Sequence, residues 1–327
     1  MSAELTDTRV GRLANWNVAI IAITVLVLII AAASVDNFGT GQNFGFLVLD
    51  LLPIALVALP MTLVIVTGEI DLSVASTLGL SSAFMGYLWN ANQPIETIIP
   101  LCLLLGAVLG AVNGFFVTVL GLPSLAVTIG TLALYRGLAF VVLGDGAVAD
   151  FPSLYTDWVT GTIAGTAIPN VLIVIIVLAA VFGVILHATP IGRAVFAVGA
   201  GEQAARFAGI RPGRLKFWLY VVSGVVSGLA GVLWTLRYSS ARADNGAGLE
   251  LAVVAAVLLG GVSIFGGKGA LPGVIAGVVL LGSLQNALRL SDVSNEALNV
   301  VTGVLLIASV LGPNLASRLN RSAQRRT

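Results

Sequence analysis

Long apolar stretches with almost no charge follow one another along this chain, and they leave it few folds to choose from. Ten of them, at about 16–34, 46–67, 70–89, 97–119, 124–143, 168–187, 217–236, 249–265, 270–288 and 297–313, approach the length of a membrane-crossing helix. Roughly 20 residues at 1.5 Å each span the hydrocarbon core of a bilayer. The stretches are continuously apolar instead of alternating, which disfavours a membrane barrel. Only 9% of the residues are charged, against about 25% in soluble domains. The expectation is an all-α polytopic membrane protein of about ten transmembrane helices. Residues 1–15 form an amino-terminal tail, 16–313 the transmembrane domain and 314–327 a basic carboxy-terminal tail.

Charge then orients the bundle, because Lys and Arg in short loops stay on the cytoplasmic side. With the amino terminus inside, that side collects Arg9, Arg12, Arg193, Arg206, Arg211, Arg214, Lys216, Lys268, Arg318, Arg321, Arg325 and Arg326. The loop 144–167 carries Asp145, Asp150 and Asp157 with no Lys or Arg and is expected outside. Both termini are therefore expected to be cytoplasmic. Arg136, Arg237, Arg242 and Arg289 are the exceptions. Arg136 reads as a snorkelling residue at an outer helix end or as the partner of a buried acid. The first apolar run follows Arg9 and Arg12 and ends in Ala31-Ala32-Ala33-Ser34, like a signal peptide, but it is long for one and is expected to be a retained helix.

Residues 188–216, ATPIGRAVFAVGAGEQAARFAGIRPGRLK, form a basic, amphipathic island holding five of the sixteen Lys and Arg residues. Glu202 to Phe207 is a run of good helix formers with Glu202 and Arg206 paired at i and i+4. Gly209 is a plausible stop. Joining two membrane helices needs far less, so the island reads as a surface for another protein; the bland alternative is a loop held to anionic lipid.

A weak internal repeat accompanies this plan. Ile70-Asp71-Leu72-Ser73 and Leu249-Glu250-Leu251-Ala252 each open an apolar segment, and Gly106-x3-Gly110 and Gly273-x3-Gly277 follow. An offset of five helices would make the copies inverted, while Gly-x3-Gly also recurs simply because membrane helices pack through it. For Asp71 and Glu250 two readings stand, structural capping at a helix start or conformational gating. Asn113, Gln285 and Asn286 fall within or late in apolar segments and read as interhelical glue or path-lining groups.

Catalytic chemistry is nearly absent. There is one histidine, His187, and one cysteine, Cys102, so neither a His/Cys metal cluster nor an internal disulfide can be assembled. Gly260 to Gly269 imitates a phosphate loop but fails the pattern, with Val262 at a required Gly and Gly269 at the Ser/Thr position. A net charge of +1 offers nothing to nucleic acid. No enzyme and no cofactor is expected.

Four segments carry a family likeness: Gly68-Glu69-Ile70-Asp71-Leu72-Ser73-Val74; Gly110-Ala111-Val112-Asn113-Gly114 with Pro123 to Thr131; Pro190-Ile191-Gly192-Arg193 through Glu202 to Ile210; and Gly248-Leu249-Glu250-Leu251 through Gly269. In order and spacing the chain resembles, over about 45–310, the inner-membrane permeases of ATP-binding-cassette importers for monosaccharides, of the ribose, xylose, rhamnose and autoinducer-2 type. The resemblance implies a type II importer-like bundle in a bacterial inner membrane. It also implies a second permease subunit, a cytoplasmic ATPase and an extracytoplasmic sugar-binding protein as partners. It places ATPase coupling on Gly192, Arg193, Gly201, Glu202, Ala205, Arg206 and Gly209, and the path or its gating on Asp71, Ser73, Asn113, Glu250, Gln285 and Asn286. The chain departs from the family in having Glu69 for a Gly and Ala75 for another, and in lacking a second acid after Leu251. A branched-chain amino acid permease of the same fold, or an ion-coupled transporter using Glu69, Asp71 or Glu250, remain the alternatives.

Overall fold

A computed structural model describes residues 3–294 and 296–307, with side chains from Trp16 onward. The elements are α1 (Ala3–Ser34), α2 (Gly41–Val66), α3 (Val74–Asn90), α4 (Ile95–Thr118), α5 (Ser124–Leu143), β1 (Ala147–Val148), α6 (Ser153–Thr160) and α7 (Val171–Ala188). They continue with α8 (Pro190–Ala200), α9 (Glu202–Phe207), α10 (Pro212–Tyr238), β2 (Ala241–Arg242), α11 (Leu249–Leu259) and α12 (Leu271–Leu290). A last helix, α13, covers Glu296–Ile307. Each of the ten expected segments holds a helix, and the chain is a multi-pass membrane protein. Seven helices among the described residues are long and apolar enough to cross a membrane. α3 (17 residues) and α11 (11 residues) are shorter, and both follow a partly buried non-helical break. The expected tail 1–15 is helical from Ala3, in line with α1, while 314–327 lies outside the described residues.

Boundaries moved for local reasons. α2 starts at Gly41, earlier than expected, because Thr40 caps it by accepting from the Asn43 N–H at 3.2 Å. α11 stops at Leu259 because Gly260 and Gly261 turn the chain, Gly261 N–H returning to Leu258 O at 2.9 Å. Pro53 and Pro60 sit inside α2, as neighbouring helices allow in membrane bundles.

α2 and α10 form the buried axis, while α1 and α7 leave most of their apolar surface outward. Lipid removes the hydrophobic driving force between helices, so close contact must hold the bundle. Gly106 and Gly110 of α4 meet the backbone of α10 at Gly224 and Tyr220, and a Cβ at any of the three glycines would overlap the facing main chain. α1 docks on the same bundle, with Thr24 Oγ1 3.2 Å from Ala276 O and Trp16 Nε1 donating to Leu259 O at 3.2 Å.

The packing order of α2–α4 is matched by that of α10–α12. α3 packs on α4 and α10, as α11 packs on α12 and α2, and α4 packs on α10 as α12 packs on α2. The two Gly-x3-Gly motifs are not equivalent, however. Gly106 and Gly110 face α10, whereas Gly273 and Gly277 face Gly260 and Ala256 at the end of α11.

The pairing of β1 with β2, Ala147 opposite Arg242 and Val148 opposite Ala241, brings the connections after α5 and α10 to one end of the bundle. α8, α9 and the 260–270 turn lie at the other, beside the end of α2.

Candidate functional site

The seven expected coupling residues fall on one helix–turn–helix. Thr189 opens α8, its hydroxyl donating to Ile185 O at 2.6 Å and accepting from Gly192 N–H at 3.4 Å. Gly192 lies against the carbonyls of Ile185 and Leu186, so the chain can fold back tightly after α7. Val195 and Val198 are buried, and Arg193 is exposed. Gly201 separates α8 from α9, in which Ala205 is buried and Glu202 accepts from Arg206 at 2.7 Å, the pair the spacing predicts. Gly209 ends the turn with φ of 84°. Phe207, at the tip, is 94% exposed.

This unit is fastened to the break between α2 and α3 twice. Gly199 lies directly on Val66 O and Gly267 N, and Gly267 N–H donates to Val66 O at 2.8 Å. Three backbones thus meet with no side chain between them, and the phosphate-loop imitation is their structural turn. The second link is ionic. Lys216 Nζ, mostly buried, donates to Glu69 Oε1 and to Glu202 Oε2, each at 2.7 Å. The Lys216 hydrogen bond, then that of Arg206, holds the Glu202 carboxyl below the ordinary glutamate range. Glu69, the departure from the family pattern, therefore has a defined partner.

Asp71 is 2% exposed. A buried carboxylate is costly unless its oxygens are hydrogen-bonded, and here they are. Oδ1 accepts from Ser73 N–H at 3.1 Å and Ser73 Oγ at 2.7 Å, and Oδ2 accepts from Ser223 Oγ of α10 at 3.1 Å. Asn113 of α4 donates to Ser73 Oγ at 2.7 Å. Ile70 is held by Ser124 Oγ at its N–H and by Thr128 Oγ1 at its carbonyl, both at 3.3 Å. Asp71, Ser73 and Asn113 thus form one cluster tying the break to α4 and α10.

The other three path candidates lie apart from that cluster. Asn286 and Asn43 exchange amide hydrogen bonds of 2.9 and 3.1 Å between α12 and the start of α2. Gln285 donates to Thr302 of α13 at 2.9 Å. Glu250 is half-buried in the first turn of α11.

A second break, 239–248, precedes α11. Ala241, Ala243 and Asn245 are buried although the backbone there is not helical. Buried backbone outside a helix has to find its hydrogen-bond partners in neighbouring protein groups or water. Arg136 explains how it is held, donating to Ala243 O at 2.6 Å, Asn245 O at 2.9 Å and Ala75 O at 3.2 Å. Three main-chain carbonyls hold the guanidinium, and it forms no ion pair with a buried acid among the described residues. Arg237 and Arg289 both pair with Asp50. Arg242 pairs with Asp244 through contacts of 2.8 and 3.2 Å.

Beside this break lies a cavity of about 450 Å³, walled by Ile54, Trp234, Arg242, Asp244, Asn245 and Asn299 among others. Of these the sequence singles out only Arg242, as an exception to the charge rule and not as a site residue. The available signal was the polar run Arg242-Ala243-Asp244-Asn245 before an unusually short apolar segment. Among the described residues no three His, Cys, Asp or Glu converge on a possible metal position.

A profile of the family described as "Branched-chain amino acid transport system / permease component" matches residues 43–310. The chain is 35% identical over 308 residues to the autoinducer 2 import system permease protein LsrD of Yersinia enterocolitica, covering 92% of each chain. It is 34% identical, with the same coverage, to the proteins of that name from Yersinia pseudotuberculosis and Yersinia pestis. No solved structure matches the chain.

Proposed function

We propose a function from the premise that this chain belongs to the permease-component family of branched-chain amino acid transport systems. It is the membrane-spanning permease subunit of an ATP-driven importer, and its cargo is a monosaccharide or similar small polyol. The likeness to autoinducer 2 import permeases supports that cargo class over an amino acid. ATP hydrolysis belongs to a separate subunit, and an extracytoplasmic binding protein delivers the cargo to a pair of permease subunits. The α8–α9 end faces the cytoplasm, with both termini, in a bacterial inner membrane.

One observation carries the mechanism: α8 and α9 touch the break before α3 through backbone at Gly199 and through the Lys216 bridge. An ATPase gripping α8 at Arg193 and α9 at Arg206 and the exposed Phe207 would move that unit as the nucleotide sites close. The motion passes to Val66 and Glu69 without slack, because close-packed backbone has nothing soft to absorb it. From there the Asp71 cluster carries it to α4 and α10, and the bundle rocks between its two open states. Asp71 acts as a staple, since its oxygens already accept three hydrogen bonds from the chain. That arrangement speaks against its use as a coupling-ion site.

The test is purification of the tagged chain from its own membranes in mild detergent, with identification of what accompanies it. An ATPase subunit carrying a phosphate-loop motif is the expected companion. Its absence across several detergents, together with uptake that stops when the ion gradient is collapsed, would replace this reading with secondary transport.

A further inference from the structure

The cavity beside the 239–248 break is not explained by coupling. It lies at the end of the bundle opposite α8 and α9, and it reaches from Arg242 and Asp244 inward to Ile54 of α2 and Ala252 of α11. Its location is informative. Transporter binding sites form where membrane helices are interrupted, and buried irregular backbone needs either protein or water beside it. At 67–73 the interruption is sealed by the Asp71 cluster. At 239–248 it is only part-sealed: Arg136 and Asn245 secure one side, and the cavity lies against the other.

The chemistry of the walls limits what fits. Arg242 and Asp244 face the cavity already paired, so the pair adds no net charge. The pairing uses two of the five guanidinium donors and two of about four carboxylate acceptor positions, leaving the rest for a ligand. Asn299 is exposed, with its amide making no hydrogen bond among the described residues, and it offers both donor and acceptor. Trp234 and Ile54 supply an apolar wall. A zwitterionic amino acid would bring two full charges to groups that already neutralise each other, giving up its hydration for little return. A neutral polyol would not: its hydroxyls meet the spare donors and acceptors while its C–H face packs on apolar surface. Ligand pockets commonly combine such walls with a few convergent polar groups.

We infer that this cavity is a low-affinity binding site for a neutral monosaccharide-like polyol, with Trp234, Arg242, Asp244 and Asn299 as its contacting residues. The inference rests on the permease reading and adds to it a place where the cargo pauses after leaving the binding protein. Low affinity follows from the open, half-exposed ion pair, and suits a site that must release its cargo inward.

The permease alone, reconstituted in nanodiscs, would be titrated with D-ribose, autoinducer 2 and leucine, with saturation-transfer NMR as the readout. At least one of the first two is expected to show weak, saturable transfer from the protein, and leucine none. Trp234→Ala should weaken binding by about tenfold, the scale of one lost aromatic contact. Asn299→Ala, at an exposed position, checks the effect without risk to the core and should weaken it by a few-fold. No transfer from either polyol, or equal binding by both variants, overturns the site; ATP-driven uptake of the same probes by the assembled importer would then leave the permease reading standing. Saturable leucine binding without polyol binding would overturn the site and the sugar reading together.

Discussion

The two breaks that interrupt the bundle, 67–73 before α3 and 239–248 before α11, each precede a short apolar helix yet are built from opposite materials. The first is crowded: Asp71, Ser73, Ser223 and Asn113 saturate one another, Gly199 and Gly267 press on Val66, and Lys216 closes over Glu69. The second is held by one arginine on its carbonyls and has a cavity of about 450 Å³ at its side. The ends of the bundle differ in the same sense. Arg136, Arg237, Arg242 and Arg289 all have partners near the second break. Arg193, Arg211 and Arg214, near α8 and α9, are exposed with no side-chain partner among the described residues. One end is rigid within and offers free charge to a partner; the other keeps its charge to itself and leaves space. The proposed coupling joint and the proposed cargo site need those contrasting properties.

The comparison breaks most severely at Gly199. Gly199→Leu puts a side chain into a contact between main chains, which the core cannot absorb without shifting helices. Binding-protein-stimulated ATP hydrolysis and uptake by the assembled importer are expected to be lost, while membrane insertion persists. Asp71→Ala comes next. It leaves the Ser223 hydroxyl and the Ser73 donors without their acceptor, at about 1–3 kcal/mol each for groups left unpaired. The thermal midpoint in detergent should fall by several degrees; Glu250→Ala, at the corresponding place in the second half, should hardly change it.

Lys216→Met is expected to lower coupled uptake several-fold by leaving Glu69 and Glu202 facing each other without their shared cation. Adding Glu69→Gln should recover part of the loss, as a double-mutant cycle would report. The smallest effect concerns pH. Because the Glu202 pKa is depressed in the folded chain, its contribution is present above the ordinary glutamate pKa of about 4.3. That contribution fades only as pH falls through the lower folded value. The protection factors of the α9 amides, measured against intrinsic exchange at each pH, should therefore stay unchanged between pH 7 and about pH 5.3, one unit above that ordinary value, and fall only in stronger acid.

How far the sequence could be read follows the range of the forces involved. α5 matches its expected span at both ends because Pro123 precedes it and Gly144 ends it, both local signals. The Glu202–Arg206 pair was equally visible at i and i+4. α11 was read too long because Val262, Ile264 and Phe265 are apolar, while the geometry of Gly260 and Gly261 outweighs hydropathy. The links that define the joint lie beyond local patterning. Lys216 and Glu69 are 147 residues apart, and Asn43 and Asn286 are 243 apart. Neither partner marks the other in the chain. The cavity is hidden in the sequence for a related reason: Trp234 looks like any apolar helix residue until the loop after α10 folds back beside it.

The most direct test of the central claim uses the tip of α9. Phe207→Cys places a thiol at a 94% exposed position, and the native Cys102 is buried and will not compete. Cross-linking in membranes with a short bifunctional reagent should join this chain to its ATPase subunit, and the yield should change when ATP is bound. An ATPase that co-purifies but cross-links from the opposite end, for example through Asp244→Cys and not through Phe207→Cys, would contradict the account.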